Sequence, residues 1–129
     1  MNHGAPVTRR GVLKGAVAAL AVPALHSCAT SAVRLPGDPF TLGVASGYPT
    51  PSGIVLWTRL APDPLNGGGL GPISIPVEWI VADDERMSRV VRRGTALAEA
   101  EFAHSVHVDV DGLEAGRWYW YLFRVGGYA

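Results

Sequence analysis

His104, His107, Asp109 and Asp111 are the residues of this chain whose types and spacing come nearest to a site for chemistry. Imidazole nitrogens and carboxylate oxygens together can ligate a divalent cation. The stretch that carries them, HSVHVDVD over 104–111, alternates strictly, with Val106, Val108 and Val110 set between the polar residues. That period belongs to a half-buried β-strand. On a strand, His104 and His107 stand three apart and so lie on opposite faces, unable to converge on one ion. His107, Asp109 and Asp111 share a face, where a weak nitrogen–oxygen site is one reading. The plainer reading is the wet side of an antiparallel sheet whose valines are buried, and with it both histidines are expected at the surface.

Other groupings offer less. No Ser/His/Asp set stands at a strand-to-helix turn, and no motif sets two carboxylates across a cleft. Gly67–Gly69 resembles a phosphate cradle only superficially, because a strand rather than a helix follows and no lysine is near. Arg86, Arg89, Arg92 and Arg93 cluster, but Asp83, Asp84 and Glu85 beside them cancel most of the field. A solvated sheet edge is expected there, not a nucleic-acid surface. Acidic and basic residues balance at 11 each, so net charge calls for no polyanionic partner. The one cysteine, Cys28, excludes an intrachain disulfide and a cysteine-rich metal centre.

The elements that position these residues read as short strands. The chain has 129 residues, 48% of them hydrophobic, with 16 glycines and 10 prolines; that allows one small all-β domain rich in turns. Strands are expected at Phe40–Ala45, Gly53–Leu60, Ile75–Ala82, near Val91–Ala98, at 104–111 and at Arg117–Val125. A single helical turn around Met87, Val90 and Val91 precedes the fourth. In the second strand Ile54, Leu56 and Thr58 share one face, and Val55, Trp57 and Arg59 the other. Trp57 has the area to serve as the central core aromatic. Between the last two strands, Leu113, Gly116 and Tyr119 have the spacing of a tyrosine corner, whose phenol packs inward while its hydroxyl bonds backbone a few residues upstream. Together these predict a Greek-key β-sandwich of fibronectin type III or immunoglobulin kind.

The N-terminus reads as an address. Arg9-Arg10 with Leu13 and Lys14, then an alanine-rich apolar run to Leu25, has the form of a twin-arginine export signal with Val12 in place of the usual phenylalanine; the alternative is an ordinary secretory signal that happens to carry two arginines. The run is short for a membrane span, which needs about 20 residues. Two cleavage modes stay open. Leu25–Cys28 resembles a lipoprotein box that would make Cys28 a lipidated first residue, whereas Ala29–Ala32 offers ordinary signal-peptidase sites. The domain plan is therefore a signal with the start of a linker over 1–31, a linker over 32–39, and the sandwich over 40–129. The expected location is periplasmic or extracellular, with membrane anchoring if Cys28 is acylated.

Asp38–Gly47 (DPFTLGVASG) and Gly53–Pro62 (GIVLWTRLAP) resemble the N-terminal domain of the alkaline phosphatase D family. So do Val77-Glu78-Trp79, the acidic turn followed by Val90-Val91 and Gly94, His104–Val108, and Gly112–Gly116 followed by Tyr119–Tyr121. Two departures stand out: Tyr48 replaces the usual aspartate after Ser46-Gly47, and Ala115 the usual proline of the corner. The resemblance implies an exported phosphomonoesterase and phosphodiesterase in which this small sandwich precedes a large metallophosphatase domain holding iron and calcium. None of that domain's metal ligands matches a position here. No catalytic, cofactor or metal residue is therefore carried over, and Trp57 and Tyr119 transfer as structural residues.

Gly126-Gly127 is a favoured hairpin turn, followed by Tyr128-Ala129 alone. A seven-stranded sandwich needs a strand after that turn, so a fragment lacking its last strand is expected. Its partners are then the absent phosphatase domain and the twin-arginine export machinery. The alternative is a free-standing exported or lipid-anchored β-sandwich that binds a partner.

Overall fold

Alternation in the sequence becomes two sheets that cover each other's apolar faces. The computed structural model describes residues 33–129, which fall within one compact unit. Six strands follow in order: β1 (Val44–Thr50), β2 (Gly53–Arg59), β3 (Ile75–Ala82), β4 (Val90–Ala98), β5 (Ser105–Asp111) and β6 (Trp120–Arg124). They form two three-stranded antiparallel sheets, ordered β1-β2-β5 and β4-β3-β6. The chain crosses between the sheets after β2, β4 and β5, as a Greek key does. The fourth strand hydrogen-bonds to β3, whereas an immunoglobulin constant domain places its fourth strand on the opposite sheet.

The core is the set of inward residues that the alternation marks. Leu56, Val106, Val108 and Val110 from one sheet meet Ile75, Val77, Val81 and Phe123 from the other. Thr58, also inward, is fully buried, and its hydroxyl donates to the Gly43 carbonyl at 2.9 Å. Tryptophan does not fill the centre as expected. Trp57 lies on the outer face of its sheet, half-buried, directly opposite His107, with ring centroids 6.1 Å apart. Because β-strand side chains alternate, a strand that buries Leu56 and Thr58 must turn Trp57 outward. Phe123 is the central aromatic, 1% exposed.

Three more expectations change, each for a local reason. The first strand begins at Val44, not Phe40, because Phe40–Gly43 is a turn. Asp38 accepts from the Phe40 amide at 2.9 Å, the Gly43 amide donates to the Phe40 carbonyl at 2.8 Å, and Gly43 has φ 76°. The helical turn near Met87 is a tight turn instead, since the Asp84 carboxylate takes the Ser88 hydroxyl and the Arg89 amide and so competes with helical bonding. His104 is not a surface residue. It is 7% exposed, has φ 57°, and its Nε2 lies 2.9 Å from the Ile73 carbonyl oxygen. The single-residue slip ahead of β5 takes it off the strand and under the loop that leads into β3. The folded body also reaches into the expected linker: Val33 and Leu35 pack on the core, and Pro39 is fully buried.

Truncating Phe123 to alanine removes the ring on which both sheets close. The expected loss is about 3–5 kcal/mol, read from the urea unfolding midpoint; a midpoint within error of the parent would show the ring to be peripheral.

Candidate functional site

The expected tyrosine corner forms. After β5, Asp111-Gly112 turns, with Gly112 at φ 73°, and the Leu113 amide donates to the Ser52 carbonyl at 2.8 Å. Leu113 and Tyr119 both pack against the core. The Tyr119 hydroxyl accepts from the Glu114 amide at 2.9 Å. Gly116 supplies the left-handed residue, φ 71°, that lets the loop reverse between them. This loop occupies residues up to Tyr119, which is why β6 starts at Trp120 rather than Arg117.

Beneath the corner lies a cleft of about 280 Å³, bounded by Ser46, Ile54 and Leu56 on one sheet, by Val81 and Tyr121 on the other, and by Tyr119 of the corner loop. At its rim Arg117 contacts Glu114 at 2.6 Å and Asp83 at 3.8 Å. The hydrogen bond that Arg117 donates to the Glu114 carboxylate raises the Arg117 pKa further above its ordinary value. Asp83 also holds Arg89 at 2.7 Å, so these rim charges satisfy one another. Such exposed pairs contribute little individually. Apolar side chains and tyrosine rings line most of the cleft, and its aliphatic hydroxyls, Ser46 and Thr50, have no hydrogen bond to a base among the described residues.

The other sequence candidates disperse. His107, Asp109 and Asp111 point outward along β5, opposite Trp57, Val55 and Gly53. Every second residue of a strand is roughly 7 Å from the next, too far for three donors in line to close on one ion. Among the described residues, no three of His, Cys, Asp and Glu gather as a metal could require. The iron and calcium attached to the resemblance therefore do not fit the donor set found here. Gly67, Gly68 and Gly69 all have positive φ, and their loop closes on Asp63, whose carbonyl takes the Gly68 amide at 2.8 Å. Its carboxylate bonds the Asn66 side chain, placing an anion where a phosphate cradle would need none.

The arginines act locally, as their acidic neighbours imply. Arg92, however, does something the sequence did not signal: its guanidinium donates to the Asp111 and Gly112 carbonyls, tying β4 to the end of β5 on the other sheet. Hydrogen bonds from the Ser88 hydroxyl and the Arg89 amide hold the Asp84 carboxyl below the usual carboxylate range. Arg9, Arg10 and Cys28 lie outside the described residues.

This arrangement defines a class: a two-sheet Greek-key sandwich whose sheets are joined through a tyrosine corner. Comparison with known proteins places it more narrowly. Residues 27–129 match the family described as "PhoD-like phosphatase, N-terminal domain", and the chain belongs to that family. It is 58% identical over 88 residues to alkaline phosphatase D of Bacillus subtilis (strain 168). That alignment takes in 68% of this chain and 15% of the relative. A solved structure titled "Structure of PhoD" matches 75% of this chain and 19% of its own, at 54% identity and a TM-score of 0.74. The chain thus spans under a fifth of the length of either protein.

Two substitutions test the local geometry. Tyr119→Phe deletes the hydroxyl that bonds the Glu114 amide and is expected to cost about 1 kcal/mol; an unchanged thermal midpoint would remove the corner from the fold's supports. Tyr48, 80% exposed, sits at φ 49° beside the irregularity in β1 between Gly47 and Thr50. A left-handed conformation costs an ordinary residue on the order of 1–2 kcal/mol and asparagine less. Tyr48→Asn is therefore expected to raise the midpoint, and a fall would show that the exposed ring contributes more than its backbone costs.

Proposed function

We propose that this chain is the non-catalytic N-terminal module of an exported PhoD-like alkaline phosphatase, a hydrolase of phosphomonoesters and phosphodiesters. The observation that carries the reading is the family match over residues 27–129, set beside relatives whose remaining length lies outside the alignment. In the whole protein the sandwich packs against a metallophosphatase domain and supports it, while that domain supplies the iron and calcium ligands. Arg9 and Arg10 address the protein to the twin-arginine machinery, which exports folded proteins to the periplasm or beyond. Cys28 is the position at which a lipid anchor would be attached.

What supports a non-catalytic role is chemical. Metal-assisted phosphate hydrolysis needs several converging ligands and a held nucleophile, and among the described residues no three of His, Cys, Asp and Glu gather in one place.

The test is direct. The purified chain, supplied with calcium and iron, is expected to release no p-nitrophenol from p-nitrophenyl phosphate above the enzyme-free blank. Turnover that scales with protein concentration and survives repurification would overturn the reading.

A further inference from the structure

The glycine-rich loop between β2 and β3 holds chemistry that neither the fold nor the family match accounts for. Asn66 precedes Gly67 there, and the chain has only one other asparagine, Asn2, and no glutamine. Asp63 and Gly68 close the loop as an antiparallel bridge, through amide-to-carbonyl bonds of 3.0 and 2.8 Å. The Asp63 carbonyl also takes the Asn66 amide at 3.2 Å. Residues 63–66 thus form a turn with Pro64 at its second position, where the fixed backbone of proline fits. Asn66 and Gly67 both stand exposed in this turn.

A side-chain amide resists attack until a nucleophile is held next to it. The backbone nitrogen of Gly67 is covalently held beside the Asn66 Cγ, and three features leave it open to react. Glycine has no Cβ to crowd the approach. The space around it is open, since a side chain begun at Gly67 would meet nothing within 4 Å beyond its chain neighbours. Its amide makes no hydrogen bond among the described residues, so no acceptor retains the proton that must leave. Asp111-Gly112 is the comparable pair elsewhere, but Asp111 is fixed in β5 opposite Gly53 and Arg92 holds its carbonyl. A carboxylate also accepts a nucleophile less readily than an amide does.

We propose that Asn66 is a site of spontaneous covalent modification, its side-chain amide lost to attack by the Gly67 backbone nitrogen. Base takes the Gly67 amide proton, and the nitrogen electron pair forms a bond to the Asn66 Cγ, closing a succinimide ring. The Cγ–Nδ2 bond breaks, and Nδ2 takes up a proton and leaves as ammonia. Water then adds to one of the two ring carbonyl carbons, and the bond from that carbon to the ring nitrogen breaks; nothing is oxidised or reduced. Opening at Cγ leaves aspartate at 66. Opening at the backbone carbonyl leaves isoaspartate, whose main chain runs through the side-chain carbons. Either product removes what now ties the turn. The Asn66 Nδ2 donates to both Asp63 carboxylate oxygens at 3.1 Å, and a carboxylate in its place sets two like charges against each other. Isoaspartate also adds a methylene to the main chain between Asp63 and Gly68, taking their paired bonds out of register. The modification is a one-way loosening of the crossing between the sheets, independent of the phosphatase reading.

Mass spectrometry follows it in the purified chain kept in warm, mildly alkaline buffer. Cleavage after Arg59 and Arg86 releases a segment, 60–86, in which Asn66 is the only side-chain amide. That segment is expected to gain the mass of an amide-to-acid exchange, faster as pH rises, and to contain isoaspartate, read by isoaspartyl methyltransferase labelling. Asn66→Gln, which must close a larger ring, is expected to abolish the gain over the same period. Gly67→Ala is expected to slow it by about an order of magnitude, because a Cβ then crowds the attacking nitrogen. No gain in the chain over a time in which a free peptide of residues 61–70 gains it overturns the proposal, since the folded loop then protects Asn66. So does a product holding aspartate alone, which is direct hydrolysis of the amide, or an unchanged rate in Gly67→Ala.

Discussion

Neither sheet of this domain can exist by itself in water. Three twisted strands leave one apolar face open, and the only surface able to cover it is the equivalent face of the other three. Leu56, Val106, Val108 and Val110 meet Val77, Val81 and Phe123 across that interface, and each crossing of the chain must deliver the next strand with its apolar side turned in. A slip of one residue would exchange every buried side chain for an exposed one. Local devices therefore sit at the crossings, His104 bonding Ile73, Tyr119 bonding the Glu114 amide and Arg92 holding the end of β5, while Thr58 bonding Gly43 ties β2 to the turn ahead of β1.

Those devices explain which parts of the molecule could be read in the sequence. Strands that bury one face, such as 75–82 and 105–111, declare themselves through alternation, and the corner does so through the spacing of Leu113, Gly116 and Tyr119. Backbone-directed hydrogen bonds leave weaker traces. The Asp38 bond that turns Phe40–Gly43 and the Asp84 bonds that replace a helical turn come from residues equally at home in any loop. Trp57 misled through size: alternation gave its face correctly, but which of the two faces was inner depended on the opposite sheet. His104 misled through continuity, because its left-handed backbone ends the alternation one residue before the pattern itself breaks.

The candidate chemistry was legible mainly by elimination. Line-of-strand spacing separates His107, Asp109 and Asp111, and of the clustered arginines Arg89 pairs with Asp83 while Arg92 turns to backbone carbonyls. The polar groups that remain inside, Thr58 and His104, each serve a carbonyl oxygen.

The approach of the N-terminal strap to the last turn has a further consequence. A side chain at Gly126 would meet the Val33 carbonyl at 2.8 Å and Leu35 at 3.1 Å, so the beginning and end of the described chain share one joint. The fold therefore uses the chain from Val33 onward: losing Val33 and Leu35 would take away two apolar side chains that pack against the core and would open the joint with the last turn.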